Sequence, residues 1–239
     1  MTEVVDGDTV ILDDGRQVRL VGIQAPKLPL GRKGFKKWPL ADQAKQALED
    51  MALDGVAELR YGGGRMDRHG RVLAHLFLKD GLKGGPKDGL WLQGELLKMG
   101  LARVYTFPDN RKIAAEMYAL EGEARRRGRG VWSHPFYAVL TPPEASKHIG
   151  AFKVIEGKVL DAAKVRGRVY LNFGADWRKD FTITIRRKAL KMFQKAGIDP
   201  LSFKDKAVRV RGWLKSYNGP MIDASHPKQI ELTAPISSQ

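Results

Sequence analysis

Val4–Lys27 reads VVDGDTVILDDGRQVRLVGIQAPK, and this short run holds the carboxylate pair Asp6 and Asp8, two β-branched and aliphatic segments, a turn and the arginine Arg19. Asp6 and Asp8 stand two residues apart, so on a strand both side chains point to one face. Gly7 between them permits a bulge or a close approach. Asp13–Arg16 (DDGR) is a hairpin signal, because Asp-Gly supplies the positive φ that tight turns need. Arg19 follows on the return strand VRLVGI. A hairpin of this kind can hold a cation and a phosphate side by side. An ordinary hairpin with a surface carboxylate pair has the same local sequence, and DGD alone does not separate the two.

Leu28–Trp38 (LPLGRKGFKKW) follows as a Gly- and Pro-punctuated loop with four cations. Pro39 opens a helix whose Leu40, Ala44, Ala47, Leu48 and Met51 recur at helical spacing and belong to a core. Val56–Tyr61 reads as a strand and Gly62–Gly64 as a turn. They lead into DRHGR at Asp67–Arg71, then a strand whose Val72, Ala74, Leu76 and Leu78 alternate onto a buried face. Lys79–Gly89 is a Gly-rich basic loop, Trp91–Met99 a helix that Gly100 caps, and LARVYTFPDN the run after it. Asp109 or Asn110 is placed to cap a third helix with Ile113, Met117, Leu120 and Ala124 on one face. Its end, RRRGRGVW, suits a helix C-terminus as well as a phosphate.

The blocks VDGDTV, VRLVGIQAP, DRHGRVLA and ELLKMGLARVY resemble the staphylococcal nuclease (thermonuclease) family in order and approximate spacing, over about residues 4–132. The resemblance implies a small five-stranded barrel of the OB type with three helices, and calcium-dependent hydrolysis of DNA and RNA phosphodiester bonds. By it, Asp8 matches the calcium carboxylate and Asp6 its outer neighbour, while Arg19 and Arg71 match the phosphate-clamping arginines. Tyr105 and Phe107 match two aromatics on the nucleotide wall, with barrel-edge packing as the alternative. Arg68 and His69 also fall at the nucleic-acid side. His69 is either a proton acceptor, since histidine titrates near neutrality, or a turn residue without a chemical role.

The chain departs from the family pattern where active members read D-T-P-E, for here stand Gln24, Ala25, Pro26 and Lys27. Asp to Gln adds one positive unit and Glu to Lys adds two, so the site is about three charges more positive, whereas calcium gains affinity from ligand charge. A divalent cation, held by Asp8, Asp6 and Gln24, is expected to bind weakly or not at all. Lys27 cannot accept a proton while charged, and the ordinary lysine pKa of about 10.4 keeps it charged near neutrality. It is expected to serve as a fixed charge on the phosphate or on Asp8, with simple solvation as the alternative. The favoured reading is a nuclease with a remodelled site, in which Arg19 and Arg71 stabilise phosphoryl charge, and Asp8 and Lys27 complete the centre. The alternative is a nucleic-acid-binding protein that has lost catalysis.

Residues 1–136 form the first expected domain, and 137–150, with Pro142 and Pro143, the linker. Residues 151–239 form the second. Its strand-like runs FKVIEGKVLDA, GRVYLNFG and FTITIR, a helix near Arg187–Ala196, then AVRVRGWLKSY and GPMIDAS give the order β-β-β-α-β-β. That order, and the closing hairpin through Tyr217, Asn218 and Gly219, are similar to nucleic-acid-binding OB domains. The fold class is therefore mainly β with α, as two small barrels. Rings at Tyr170, Phe173, Trp177, Trp213 and Tyr217 interleave with cations, as in single-strand binders. No more than two of them are expected to be exposed, and Trp213 and Tyr217 are taken as the binding pair.

The net charge of +15 and a pI near 10.0 point to a polyanionic partner, with single-stranded DNA or RNA favoured. No protein partner and no membrane partner are expected. The chain has no cysteine, which excludes disulfides and thiolate metal sites. The family resemblance suggests a periplasmic or secreted setting. The first strand begins almost at Met1, so any leader is expected to be absent from this sequence.

Overall fold

The computed structural model describes residues 1–79 and 89–233, so most of the Lys79–Gly89 loop lies outside the described residues. The chain divides into two compact units, Met1–Tyr137 and Ala138–Gln239.

The first unit opens with β1 (Glu3–Asp6), β2 (Thr9–Ile11), β3 (Gln17–Leu20) and β4 (Gly22–Gln24). α1 (Ala41–Ala52) and β5 (Ala57–Arg60) follow. β6 (Val72–Leu78), β7 (Leu90–Trp91), α2 (Leu92–Lys98), β8 (Arg103–Tyr105) and α3 (Ala114–Arg126) complete the unit. The main sheet runs β1-β2-β3-β6-β5 with β7 on β6, and β4 leaves it to pair with β8. Among the described residues the parallel contact in this sheet is β3 on β6, with Arg19 opposite Leu73. The DDGR turn forms as its sequence dictates: Gly15 has φ +80°, and the Leu12 N–H donates to Arg16 O at 3.0 Å.

Alternation in β6 places Val72, Ala74, Leu76 and Leu78 in one core with Leu48 and Ala52 of α1 and Leu96 and Leu97 of α2. Burying each such leucine contributes roughly 1.5–3 kcal/mol. α2 is pinned to β6 by Gln93, whose buried amide accepts from the Leu76 N–H at 3.1 Å and donates to Ala74 O at 2.9 Å. The expected cap of the third helix is corrected. Phe107 and Asn110 bond each other across a tight turn, and the Asn110 amide donates to Gly64 O, so α3 starts only after Ile113.

The second unit contains β9 (Phe152–Lys158), β10 (Asp161–Val165), β11 (Arg168–Asn172), β12 (Thr182–Ile185) and α4 (Arg187–Lys195). Then come β13 (Ala207–Trp213), β14 (Lys215–Ser216), β15 (Pro220–Asp223) and β16 (Ile230–Leu232). One sheet runs β10-β11-β12-β15-β14 and the other β16-β13-β9. β10, β11 and β12 pair antiparallel, β12 pairs β15 in parallel and β14 closes on β15, while β13 pairs β9 antiparallel in the second sheet. Val169, Leu171, Ile183, Ile185 and Ile222 point inward to one core, which also takes in Leu140 and Ala145 from the stretch 137–150. Among the described residues no helix is long and apolar enough to cross a membrane.

Candidate functional site

The DGD stretch is the turn between β1 and β2 rather than continuous strand: Asp6 ends β1, and Gly7 and Asp8 form the bend. The reason is close packing. A Cβ on Gly7 would lie 2.7 Å from the Ala44 Cβ of α1 and 2.8 Å from the Ala25 Cβ, so the bend presses against both. Gly7→Ala is expected to destabilise the protein by roughly 1–3 kcal/mol through overpacking, read as a lower urea midpoint. An unchanged midpoint would show that α1 does not lock the bend.

The bend buries Asp8 completely and Asp6 almost so. Burial alone would push Asp8 up, but the charges of Arg19 and Lys27, with hydrogen bonds from Lys27 and the Ala25 N–H, bring it down to about 2. Asp6 moves the other way. Burial and the Asp8 charge raise it, against Lys27, the Asp8 N–H and Arg19.

Lys27 is the centre of this cluster. Its Nζ lies 2.7 Å from both Oδ1 and Oδ2 of Asp8 and 3.4 Å from Asp6 Oδ2. Arg19 Nη1 stands 3.2 Å from Asp8 Oδ1, and the Ala25 N–H donates to Asp8 Oδ2 at 2.7 Å. The Thr9 hydroxyl donates to Asp8 Oδ1 at 3.4 Å, and since a carboxylate offers about four lone-pair sites, the bonds from Lys27 to both oxygens, from Ala25 and from Thr9 leave Asp8 saturated. Arg19 is also turned inward, donating to Leu20 O at 2.8 Å and Ile23 O at 2.7 Å. Gln24 faces away from Asp8: its Oε1 accepts from Arg103 Nη2 at 2.8 Å, and both side chains are buried. Nothing in the local sequence signalled Arg103, which lies on β8, far along the chain from β4.

This donor set does not fit a calcium ion. Two carboxylates against Lys27 and Arg19 sum to zero charge, the one amide oxygen is engaged, and calcium asks for 6 to 8 oxygens with charge among them. Among the described residues no group of three or more His, Cys, Asp or Glu is placed to hold a metal.

Arg71 precedes β6 and is bound within its own turn, with Nη2 2.7 Å and Nε 2.8 Å from Asp67 Oδ2. Asp67 Oδ1 also accepts the His69 and Arg71 N–H groups, so the DRHGR turn is organised by that one carboxylate. Arg68 and His69 are exposed, and Arg68 Nε donates to His69 Nε2 at 3.1 Å. Tyr105 and Phe107 meet edge to face with centroids 4.8 Å apart, Phe107 being 41% exposed. The basic loop after Lys27 is stapled at its base by the Trp38 N–H to Lys27 O at 3.0 Å. Within it Arg32 lies over Phe35, which stacks on Trp38.

In the second unit Trp177, Trp213 and Tyr217 are 50%, 44% and 64% exposed, so the expected limit of two exposed rings is corrected. Loops hold Trp177 and Tyr217 off the sheet, and Trp213 ends β13 on the outward side of the pleat. Trp213 and Tyr217 do not share a cavity. Trp213 packs edge-on against Phe152, whereas Tyr217 lines a cavity with Trp177 and Tyr170.

The family model described as "Staphylococcal nuclease homologue" matches residues 17–134, ending just before the boundary between the units. The chain is 28% identical over 132 residues to the thermonuclease of Staphylococcus intermedius, covering 54% of this chain and 72% of that protein. It is 30% identical over 138 residues to Protein ParB of Escherichia coli, covering 56% and 72%. To the micrococcal nuclease of Shigella flexneri it is 29% identical over 138 residues, covering 56% and 73%.

Proposed function

Because the chain belongs to the staphylococcal nuclease homologue family, we propose that it binds nucleic acid on that scaffold, with the ammonium of Lys27 in the structural place of a metal ion. One observation carries the reading: Lys27 Nζ sits 2.7 Å from both oxygens of a fully buried Asp8 and 3.4 Å from Asp6. A fixed internal cation neutralises the carboxylates permanently. It neither activates water nor leaves Asp8 an open lone pair. The nucleic-acid partner rests on the net charge of +15 and on two relatives whose names state nuclease activity. Arg71, Arg68, His69, Tyr105 and Phe107 supply a partly exposed set of cations and rings for phosphate and base. The two sheets of the second unit, which share one core, support reading it as an OB-type barrel that grips the strand.

Hydrolysis at a remodelled centre is the second reading, favoured by the retained Asp8–Arg19 pair at 3.2 Å. The two separate in one experiment. The protein and Arg71→Ala are incubated with single- and double-stranded DNA and RNA under calcium, magnesium, manganese or chelator, and binding is titrated against salt. Binding should weaken with a log–log slope of about 0.7 per phosphate neutralised on single strands, with no cleavage above the variant's. Cleavage by the parent that Arg71→Ala lacks would overturn the binding reading in favour of hydrolysis.

A further inference from the structure

The outer face of the larger sheet in the second unit is built in cross-strand rows. Asp161, Asn172, Thr182 and Met221 form one row, and Ala163, Tyr170, Thr184 and Asp223 the next. Strand alternation sends Val169, Leu171 and Ile183 inward, so Tyr170 and Asn172 point out. Two loops overhang this face. The turn between β11 and β12 carries Trp177, and the turn between β14 and β15 carries Tyr217. Together with the sheet they enclose a cavity of about 440 Å³, within the range of small-ligand sites.

Both loops are preorganised. In the first, Asp176 Oδ1 accepts the Arg178 N–H at 3.0 Å, and Asp180 Oδ2 accepts the Asp176 N–H at 2.9 Å. In the second, the Tyr217 N–H donates to Gly219 O at 2.9 Å. The loops also touch. Gly219 has φ +89°, and a Cβ there would lie 2.8 Å from the backbone oxygens of Lys179 and Asp180. Trp177 and Tyr217 are thus held over one cavity while remaining half or more exposed. Exposed hydrophobic residues scattered singly are ordinary, whereas apolar groups gathered at one place mark a binding site, and here two exposed rings share one mouth.

The polar floor and the rim identify the occupant. The Thr182 hydroxyl donates to Asn172 Oδ1 at 3.2 Å, so in this cavity-lining amide the NH₂ is the group left to donate to a ligand. Cations frame the rings: Arg178 lies over Trp177 at 4.8 Å and Arg168 over Tyr170 at 6.0 Å. Aromatic walls from Trp177, Tyr217 and Tyr170 and an amide in the floor match a planar heterocycle with a polar edge, and the charge of the lining residue Asp161 is met by Lys204 at 3.2 Å.

We propose that this cavity takes one unpaired, carbonyl-bearing base of a single-stranded nucleic acid, stacked on Trp177 and Tyr217 and read at a carbonyl oxygen by Asn172. The proposal rests on the nucleic-acid reading given above and adds a defined base site to it. A duplex base has its edge occupied and its faces stacked, so it does not enter.

The full-length protein is titrated by fluorescence anisotropy with short labelled oligothymidylate, oligouridylate, oligoadenylate and a strand of the same length made wholly of abasic sites. Trp177→Ala and Tyr217→Ala should each weaken thymidylate and uridylate binding roughly 5- to 150-fold, the span of one lost base stack. Affinity for the abasic strand and the salt slope should stay unchanged, which also reports an intact fold. Trp177→Phe should restore most of the loss, and Asn172→Ala should erase the preference over oligoadenylate. Equal affinity of the parent for base-bearing and abasic strands, or equal losses on both in the variants, overturns the base site and leaves the nucleic-acid reading standing. A parent that binds none of the strands overturns both.

Discussion

Lys27→Ala is expected to destabilise the protein by about 3 kcal/mol, the low end of the cost of removing one partner from a buried ion pair. The low end applies because the Lys27 side chain keeps 20% exposure while Asp8 has none. Its loss would leave Asp8 buried against Arg19, the Ala25 N–H and the Thr9 hydroxyl. The pH dependence carries a sign. Asp8 is held down at about 2 in the folded protein, so its contribution is present above the ordinary carboxylate range near pH 4 and is lost as pH falls toward 2. Asp6 is raised, so it opposes stability above its folded value and weakens the acid response. Without Lys27 the burial of Asp8 is less opposed, its pKa rises, and the variant should lose less stability than the parent on acidification. Asp8→Asn in the Lys27→Ala background should recover part of the neutral-pH loss, since an amide tolerates burial without an ammonium. Urea unfolding across this pH range measures all three. A Lys27→Ala protein that matches the parent midpoint at every pH would show that the ammonium does not hold Asp8.

The second large effect is the creation of calcium dependence. Lys27→Glu alone sets three carboxyl groups together with Arg19 as the near cation, and should unfold the bend at neutral pH in chelator. With Gln24→Asp added, the site gains two charges from position 27 and one from position 24, which restores the donor charge that calcium requires. Calcium at about a hundredfold over its Kd should then stabilise the double variant by about 2.7 kcal/mol, while the parent melts at the same temperature with calcium or chelator. Thermal unfolding in both conditions decides it. A double variant indifferent to calcium would mean that the bend geometry, and not the Lys27 charge, excludes the ion. A calcium shift in the parent would remove Lys27 from that place.

Much of this protein is settled by local sequence. The DDGR turn, the alternation of Val72, Ala74, Leu76 and Leu78, and the helical stripe of Ala44 and Leu48 each follow from backbone preferences and from burial at period 2 or 3.6. Strands on both sides of one helix in residues 151–233 were legible too, because turn residues punctuate them, but in place of the expected β-β-β-α-β-β the chain forms β9–β12 before α4 and β13–β16 after it. The four blocks that carry the family likeness name candidate residues for the site. They do not fix how those residues are partnered.

Partner choice was decided by the tertiary structure. Gln24 turns to Arg103 because β4 leaves the main sheet to pair with β8, a register that local sequence does not encode. Asp8 falls on a bend because α1 and Ala25 close on Gly7, and Lys27 then meets both of its oxygens. Asp109 and Asn110 are cap residues by type, yet the turn to Phe107 and the bond to Gly64 claim Asn110 first. Trp213 and Tyr217 are near neighbours in sequence but are parted, while Trp177 joins Tyr217 from another loop. The physical reason is common to all four. Backbone propensity acts over a turn or two of chain, whereas charges, amides and rings bind whatever the folded backbone places within a few ångströms.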